Sequence, residues 1–118
     1  MITLYGIPNC DTVKKARTWL DRHGLAYAFH DFKKAGVPPD HLTRWLAGLG
    51  WEAVINRKGT TWRGLDDAIK AGTTDAAAAH ALALAQPSLI KRPIVEWDTP
   101  HGDGITAGFD PDAWSARL

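Results

Sequence analysis

The sequence predicts an α/β fold: a four-stranded mixed sheet of order β-α-β…β-β-α, with an all-helical insertion over about residues 33–87. Three observations predict it. Strand-like runs stand near both ends of the chain, at residues 2–5 and 25–32 and again at 94–97 and 105–109. A helical pattern separates the first two runs, which makes a βαβ unit with parallel strands. The middle carries helical periodicities and no strand-like alternation. The whole is expected to be a single domain, since 118 residues suffice for one real core.

Residues 2–5 read as a buried strand that Gly6 and Pro8 end. The first helix spans 11–23, with Val13, Ala16, Leu20 and His23 on one face and Gly24 as its stop. Residues 25–32 alternate, with Tyr27 and Phe29 on one side, and residues 33–36 form a polar connection. Pro38 and Pro39 open a second helix, whose Leu42, Trp45, Leu46 and Leu49 make an apolar stripe suited to core packing. A short helical piece at 51–55 leads into Asn56-Arg57-Lys58-Gly59. Thr60 or Thr61 then caps a third helix carrying Trp62, Leu65 and Ile69, which Gly72 stops. The Ala-rich run 76–85 has high helix propensity, and Pro87 closes it. Pro93 stands at the entry of the next strand, where a missing N–H is tolerated. A turn over 99–104 joins it to its partner, and Asp110-Pro111-Asp112 starts a last helix.

Composition excludes several function classes. A net charge of +1 gives no global field toward nucleic acid or an acidic membrane. The middle helices carry no basic stripe with interleaved aromatics, so no direct nucleic-acid binding is expected. A single cysteine allows no internal disulfide, zinc finger or Cys-x-x-Cys pair, and it suits a reducing, cytoplasmic setting. No signal peptide and no membrane span are expected, because no apolar stretch approaches the roughly 20 residues a span needs. The five histidines show no metal-ligand spacing, and no metal is expected.

Cys10 sits at the strand-to-helix junction. Unpaired backbone N–H groups and the positive end of a helix dipole favour an anion there, and the thiolate is the reactive form of cysteine. A free cysteine is often a small buried hydrophobe, but the polar neighbours Asn9, Asp11 and Thr12 suit a helix cap. Lys14 lies one turn on, on the same side of the helix, and favours the thiolate; Asp11 opposes it. Arg57 and Arg92 each stand at an element end, where a planar guanidinium suits a carboxylate or oxyanion. The bond before Pro93, at a strand start, is open to either isomer, and base rates favour trans.

These residues carry a resemblance over nearly the whole chain. Tyr5-Gly6-Ile7-Pro8-Asn9-Cys10 with Lys14-Lys15-Ala16, then Ile55-Asn56-Arg57-Lys58, then Pro87-Ser88-Leu89-Ile90-Lys91-Arg92-Pro93-Ile94-Val95, then Gly108-Phe109 resemble a thioredoxin-fold group. That group holds the glutathione/glutaredoxin-coupled arsenate reductases (ArsC), the Spx transcription regulators and the YffB-like proteins. The resemblance implies that Cys10 is the nucleophile and that Arg57 and Arg92 bind an oxyanion or the thiol cosubstrate. It also implies that Pro93 is a cis-proline beside a bound thiol peptide. Asn9 and Lys14, beside Cys10, are expected to complete the glutathione-binding set. Two departures matter. The arsenate reductases carry a third arginine where this chain reads Ala107-Gly108-Phe109-Asp110, and Spx proteins often carry a second cysteine where Val13 stands. The pattern fits the YffB-like branch, which implies a glutathione-dependent thiol oxidoreductase with glutathione as cosubstrate, no bound cofactor, and glutaredoxin as a further partner. The alternatives are arsenate reduction and a non-enzymatic, Spx-like regulator that binds RNA polymerase.

Overall fold

In the computed structural model, which describes residues 1–118, the elements in chain order are β1 (Ile2–Gly6), α1 (Asp11–Arg22), β2 (Tyr27–Asp31) and α2 (Phe32–Ala35). There follow α3 (Pro39–Leu49), α4 (Trp51–Val54), α5 (Thr60–Arg63), α6 (Asp67–Gly72) and α7 (Ala76–Ala85). A 3-10 turn (Pro87–Leu89), β3 (Ile94–Thr99), β4 (Gly102–Ala107) and α8 (Pro111–Ser115) complete the chain. It divides into a sheet unit, Met1–Ala35 with Arg92–Leu118, and a helical unit, Gly36–Lys91.

In the sheet unit the strand order is β2-β1-β3-β4. β1 and β2 are parallel, Ile2 opposite Tyr27 and Gly6 opposite Asp31, as a crossover helix permits. β3 is antiparallel to both β1 and β4. One face of the sheet buries Ile2, Leu4, Val95 and Trp97 against Val13, Ala16 and Leu20 of α1 and Trp114 of α8. Trp114 is the centre of an aromatic cluster, edge-on to Phe109 at 4.8 Å, Trp97 at 4.9 Å and Trp19 at 5.4 Å. Such edge-to-face pairs add to the stabilisation that area burial gives. The Asp110 side chain caps α8 by accepting from the Asp112 and Ala113 amides. At the far edge, where β1 starts and β3 ends, the Met1 ammonium donates to Asp98 Oδ2 at 2.7 Å; this hydrogen bond and the positive charge hold the Asp98 carboxyl below its usual range.

Several boundaries differ from the sequence reading. His23 is not on the buried face of α1: it is the exposed residue just past the helix, with its ring stacked on Trp19 at 3.9 Å. The expected connection 33–36 is largely α2, because the Asp31 carboxylate accepts from the Lys33 amide at 2.8 Å and starts a turn of helix. β4 begins at Gly102 instead of residue 105. Thr99 Oγ1 donates to the Gly102 carbonyl and accepts from the His101 amide, which closes a two-residue loop and lets Asp98 pair with Asp103. β4 then stops at Ala107, since Gly108 turns the chain at φ +82.

In the helical unit α3 packs against α7 and α4. Leu42, Trp45 and Leu46 of the periodic stripe are buried, Leu49 is half-buried, and Ala79 and Ala83 of α7 are buried with them. His80 and the Pro39 carbonyl are 3.0 Å apart, linking α7 to the first turn of α3. The single helix expected from Thr60 to Gly72 is instead two, α5 and α6. Gly64 ends the first, and Asp66 leaves helical geometry, at ψ 144, to become the N-cap of the second. No helix of either unit is long and apolar enough to cross a membrane.

Candidate functional site

Strand direction gathers one end of the sheet unit. β1, β2 and β4 stop there and β3 starts there, since Tyr5 pairs with Ile94 and Ile94 with Ala107. Residues 7–10, the start of α2, residues 92–93 and residues 108–110 therefore leave the sheet at a common edge.

The first of these segments brings the cysteine. A Cβ on Gly6 would lie 2.9 Å from Val13 Cγ2, so a glycine is what lets α1 approach the end of β1. Cys10 is the N-cap of α1 in extended geometry (φ −116, ψ 125), and its carbonyl accepts the Lys14 amide at 2.9 Å. Its side chain makes no capping hydrogen bond. Cys10 is neither fully buried nor wholly exposed: the residue is half-buried, and it packs on the rim of the core. The N–H groups of the first turn of α1 have no helical acceptor, which favours an anion beside Cys10. Asp11 is exposed in that same turn and works against this.

The remaining sheet-unit residues leave the sheet at the same edge or stand on the first turn of α1. Asn9 is exposed, and its Oδ1 accepts from Lys33 Nζ at 3.3 Å. Lys14 is exposed, four residues after Cys10 and hence on its side of the helix. Arg92 is half-buried, and its guanidinium enters no hydrogen bond or ion pair with the protein. Pro93 is buried, the Arg92–Pro93 bond is cis, and the Pro93 carbonyl accepts the Gly108 amide at 2.8 Å. A half-buried cation with no partner is a ready anchor for an anionic group.

Arg57 belongs to the helical unit. Its backbone neighbourhood is fixed by the Ile55–Ile90 bridge, the Asn56 amide donating to Leu89 O at 2.7 Å and the Lys91 amide donating to Val54 O at 2.8 Å. Its guanidinium lies 3.0 Å from Glu52 Oε2 and 5.2 Å from the Trp51 ring centre, and the side chain is 45% exposed. Such an exposed pair exchanges readily for another anion.

Sequence reasoning missed Lys33, which it placed in a featureless connection. The signal was available: parallel pairing of β1 and β2 sends both strands to the same edge, so the first residues after β2 must lie beside the Cys10 segment. No group of three or more His, Cys, Asp or Glu side chains is placed to hold a metal ion.

Comparison with known proteins adds four findings. A model of the ArsC family matches residues 5–117. The solved structure described as the YFFB (PA3664) protein is 53% identical, with a TM-score of 0.90 covering 100% of this chain and 99% of that one. An arsenate reductase (ArsC) related protein from Brucella melitensis is 47% identical, with a TM-score of 0.73 over 98% and 92% of the two chains. The global transcriptional regulator Spx of Streptococcus mutans is 30% identical across 100% of this chain and 83% of that protein.

Proposed function

The chain belongs to the ArsC family, and from that premise we propose that it is a cytoplasmic thiol oxidoreductase that works with glutathione. The observation that carries this reading is Cys10 at the N-cap of α1, at the same sheet edge as the unpartnered Arg92 guanidinium and Pro93. The Cys10 thiolate attacks the glutathionyl sulfur of a mixed disulfide. The substrate thiolate leaves and takes a proton from solvent, and Cys10 is left glutathionylated. The chain has no second cysteine to resolve this adduct, so a second glutathione does so. Its thiolate attacks the glutathionyl sulfur, oxidised glutathione departs, and the Cys10 thiolate returns. One free glutathione thiol is consumed per turnover: the substrate sulfur is reduced to a thiol, and the disulfide leaves as oxidised glutathione. Lys14 and the first-turn amides stabilise the thiolate. Arg92 binds a terminal carboxylate of glutathione, Asn9 and the Pro93 segment orient the peptide, and Arg57 is assigned a second carboxylate by resemblance. Glutaredoxin is a further candidate for removing the adduct.

Arsenate reduction uses the same nucleophile, and likeness to the Brucella melitensis protein favours it. Against it stand the lack of an arginine in Ala107-Gly108-Phe109-Asp110 and the acidic Asp11, both of which disfavour a dianion. Likeness to Spx favours the regulator reading, in which the protein binds RNA polymerase without turnover. The deciding experiment couples a glutathione mixed disulfide to glutathione oxidation. Turnover that Cys10→Ser abolishes supports the enzyme. No turnover, with polymerase retained on the immobilised protein, supports the regulator.

A further inference from the structure

Along the outer side of α1, between the helix and the segment that follows β4, runs a groove of about 400 Å³. Lys14, Lys15 and Arg22 border it, and Trp19, Phe109 and Pro111 give it apolar walls. None of the three cations makes an ion pair or side-chain hydrogen bond within the protein, and no carboxylate lines the groove. The nearby Asp110 carboxylate is already occupied as the cap of α8. The walls are fixed: Trp19 stacks on His23 at 3.9 Å and meets Trp114 edge-on, and Phe109 meets Trp114 at 4.8 Å. Cys10 itself does not line the groove, but Lys14, which does, follows it by one turn of α1.

We propose that this groove docks an acidic, extended polypeptide segment, so that the physiological disulfide is carried by a protein or peptide with carboxylates flanking its cysteine. The proposal deepens the thiol-exchange reading above and rests on it for the link to Cys10. From Lys14 to Arg22 the helix rises roughly 12 Å, the length of about four extended residues. Three cations around two aromatic walls over that span match alternating carboxylates and side-chain methylenes better than a continuous phosphate backbone. The chain's net charge of +1 supplies no wider field for a polynucleotide. A polynucleotide also offers no sulfur to the Cys10 nucleophile one turn before Lys14.

The test uses the full chain and a fluorescein-labelled, cysteine-free decapeptide of alternating Glu and Ser, compared by anisotropy with its Gln counterpart. The Glu peptide is expected to bind at least about tenfold more tightly, and to weaken as salt rises and shortens the screening length. Lys15→Glu with Arg22→Glu should weaken it a further tenfold or more, with Lys15→Gln/Arg22→Gln as the milder pair should the first fold poorly. Both pairs should form the Cys10–glutathione adduct as fast as wild type, since neither residue belongs to the glutathione site. Equal binding of Glu and Gln peptides, or indifference to both variant pairs, would overturn the groove. So would displacement of the peptide by an equally charged single-stranded oligonucleotide at lower concentration. Peptide binding without any adduct would overturn the substrate assignment and the thiol reading together.

Discussion

A Cβ on Gly6 would meet Val13 Cγ2 at 2.9 Å, and Val13 is fully buried with no room to swing. Gly6→Ala should therefore cost about 1–3 kcal/mol by overpacking. Because the clash falls between β1 and α1, it should also slow glutathionylation of Cys10 more than it lowers the melting temperature. Denaturant unfolding alongside adduct kinetics checks both halves. Arg92 and Arg57 differ in surroundings and so in expected effect. Arg92 has no partner within the protein, so Arg92→Ala leaves the fold intact and weakens glutathione binding about tenfold or more, the worth of one charge-assisted hydrogen bond. Arg57 must give up Glu52 to bind a ligand, so Arg57→Ala should weaken binding less. Calorimetric titration of reduced glutathione separates them. Equal affinities for wild type and Arg92→Ala would remove Arg92 from the site.

At the scale of elements, α8 is short, and its anchoring rests on the Trp114 ring and the Asp110 cap. Trp114 is 1% exposed and touches three aromatic neighbours, so Trp114→Ala should cost about 3–5 kcal/mol. Asp110→Ala should cost only about 1 kcal/mol. Similar losses for the two would contradict this ordering. The start of α8 was legible in the sequence, because an Asp-Pro-Asp run states both the cap and the first turn. The hairpin was less so. Gly102, Asp103 and Gly104 read as turn residues, yet they lie in β4, held there by the Thr99 hydroxyl and by the pairing with β3. The split of α5 from α6 was hidden for the opposite reason: Trp62, Leu65 and Ile69 keep a helical spacing across a break made by Gly64 and Asp66.

For the molecule as a whole, the order of strands and helices followed from patterns near the two chain ends, where one face of each element is buried and periodicity is strong. The site was legible in part. Cys10, Arg92 and Pro93 stand out as residue types at element ends, and antiparallel entry of β3 explains why they share an edge. Lys33 and the basic groove on α1 were not legible as a site, since an exposed lysine carries no signal until strand direction and neighbouring rings are known. The same layout predicts weak arsenate turnover. With glutathione and glutaredoxin supplied, the rate should fall far below that of a genuine arsenate reductase, and a comparable rate would promote the oxyanion reading.

The most direct measurement of the central claim is the intact mass of the protein after incubation with oxidised glutathione, for wild type and Cys10→Ser. The proposed chemistry predicts one glutathionyl group on wild type, removed by reduced glutathione, and none on Cys10→Ser. An unmodified wild type, or equal labelling of the two proteins, would contradict it.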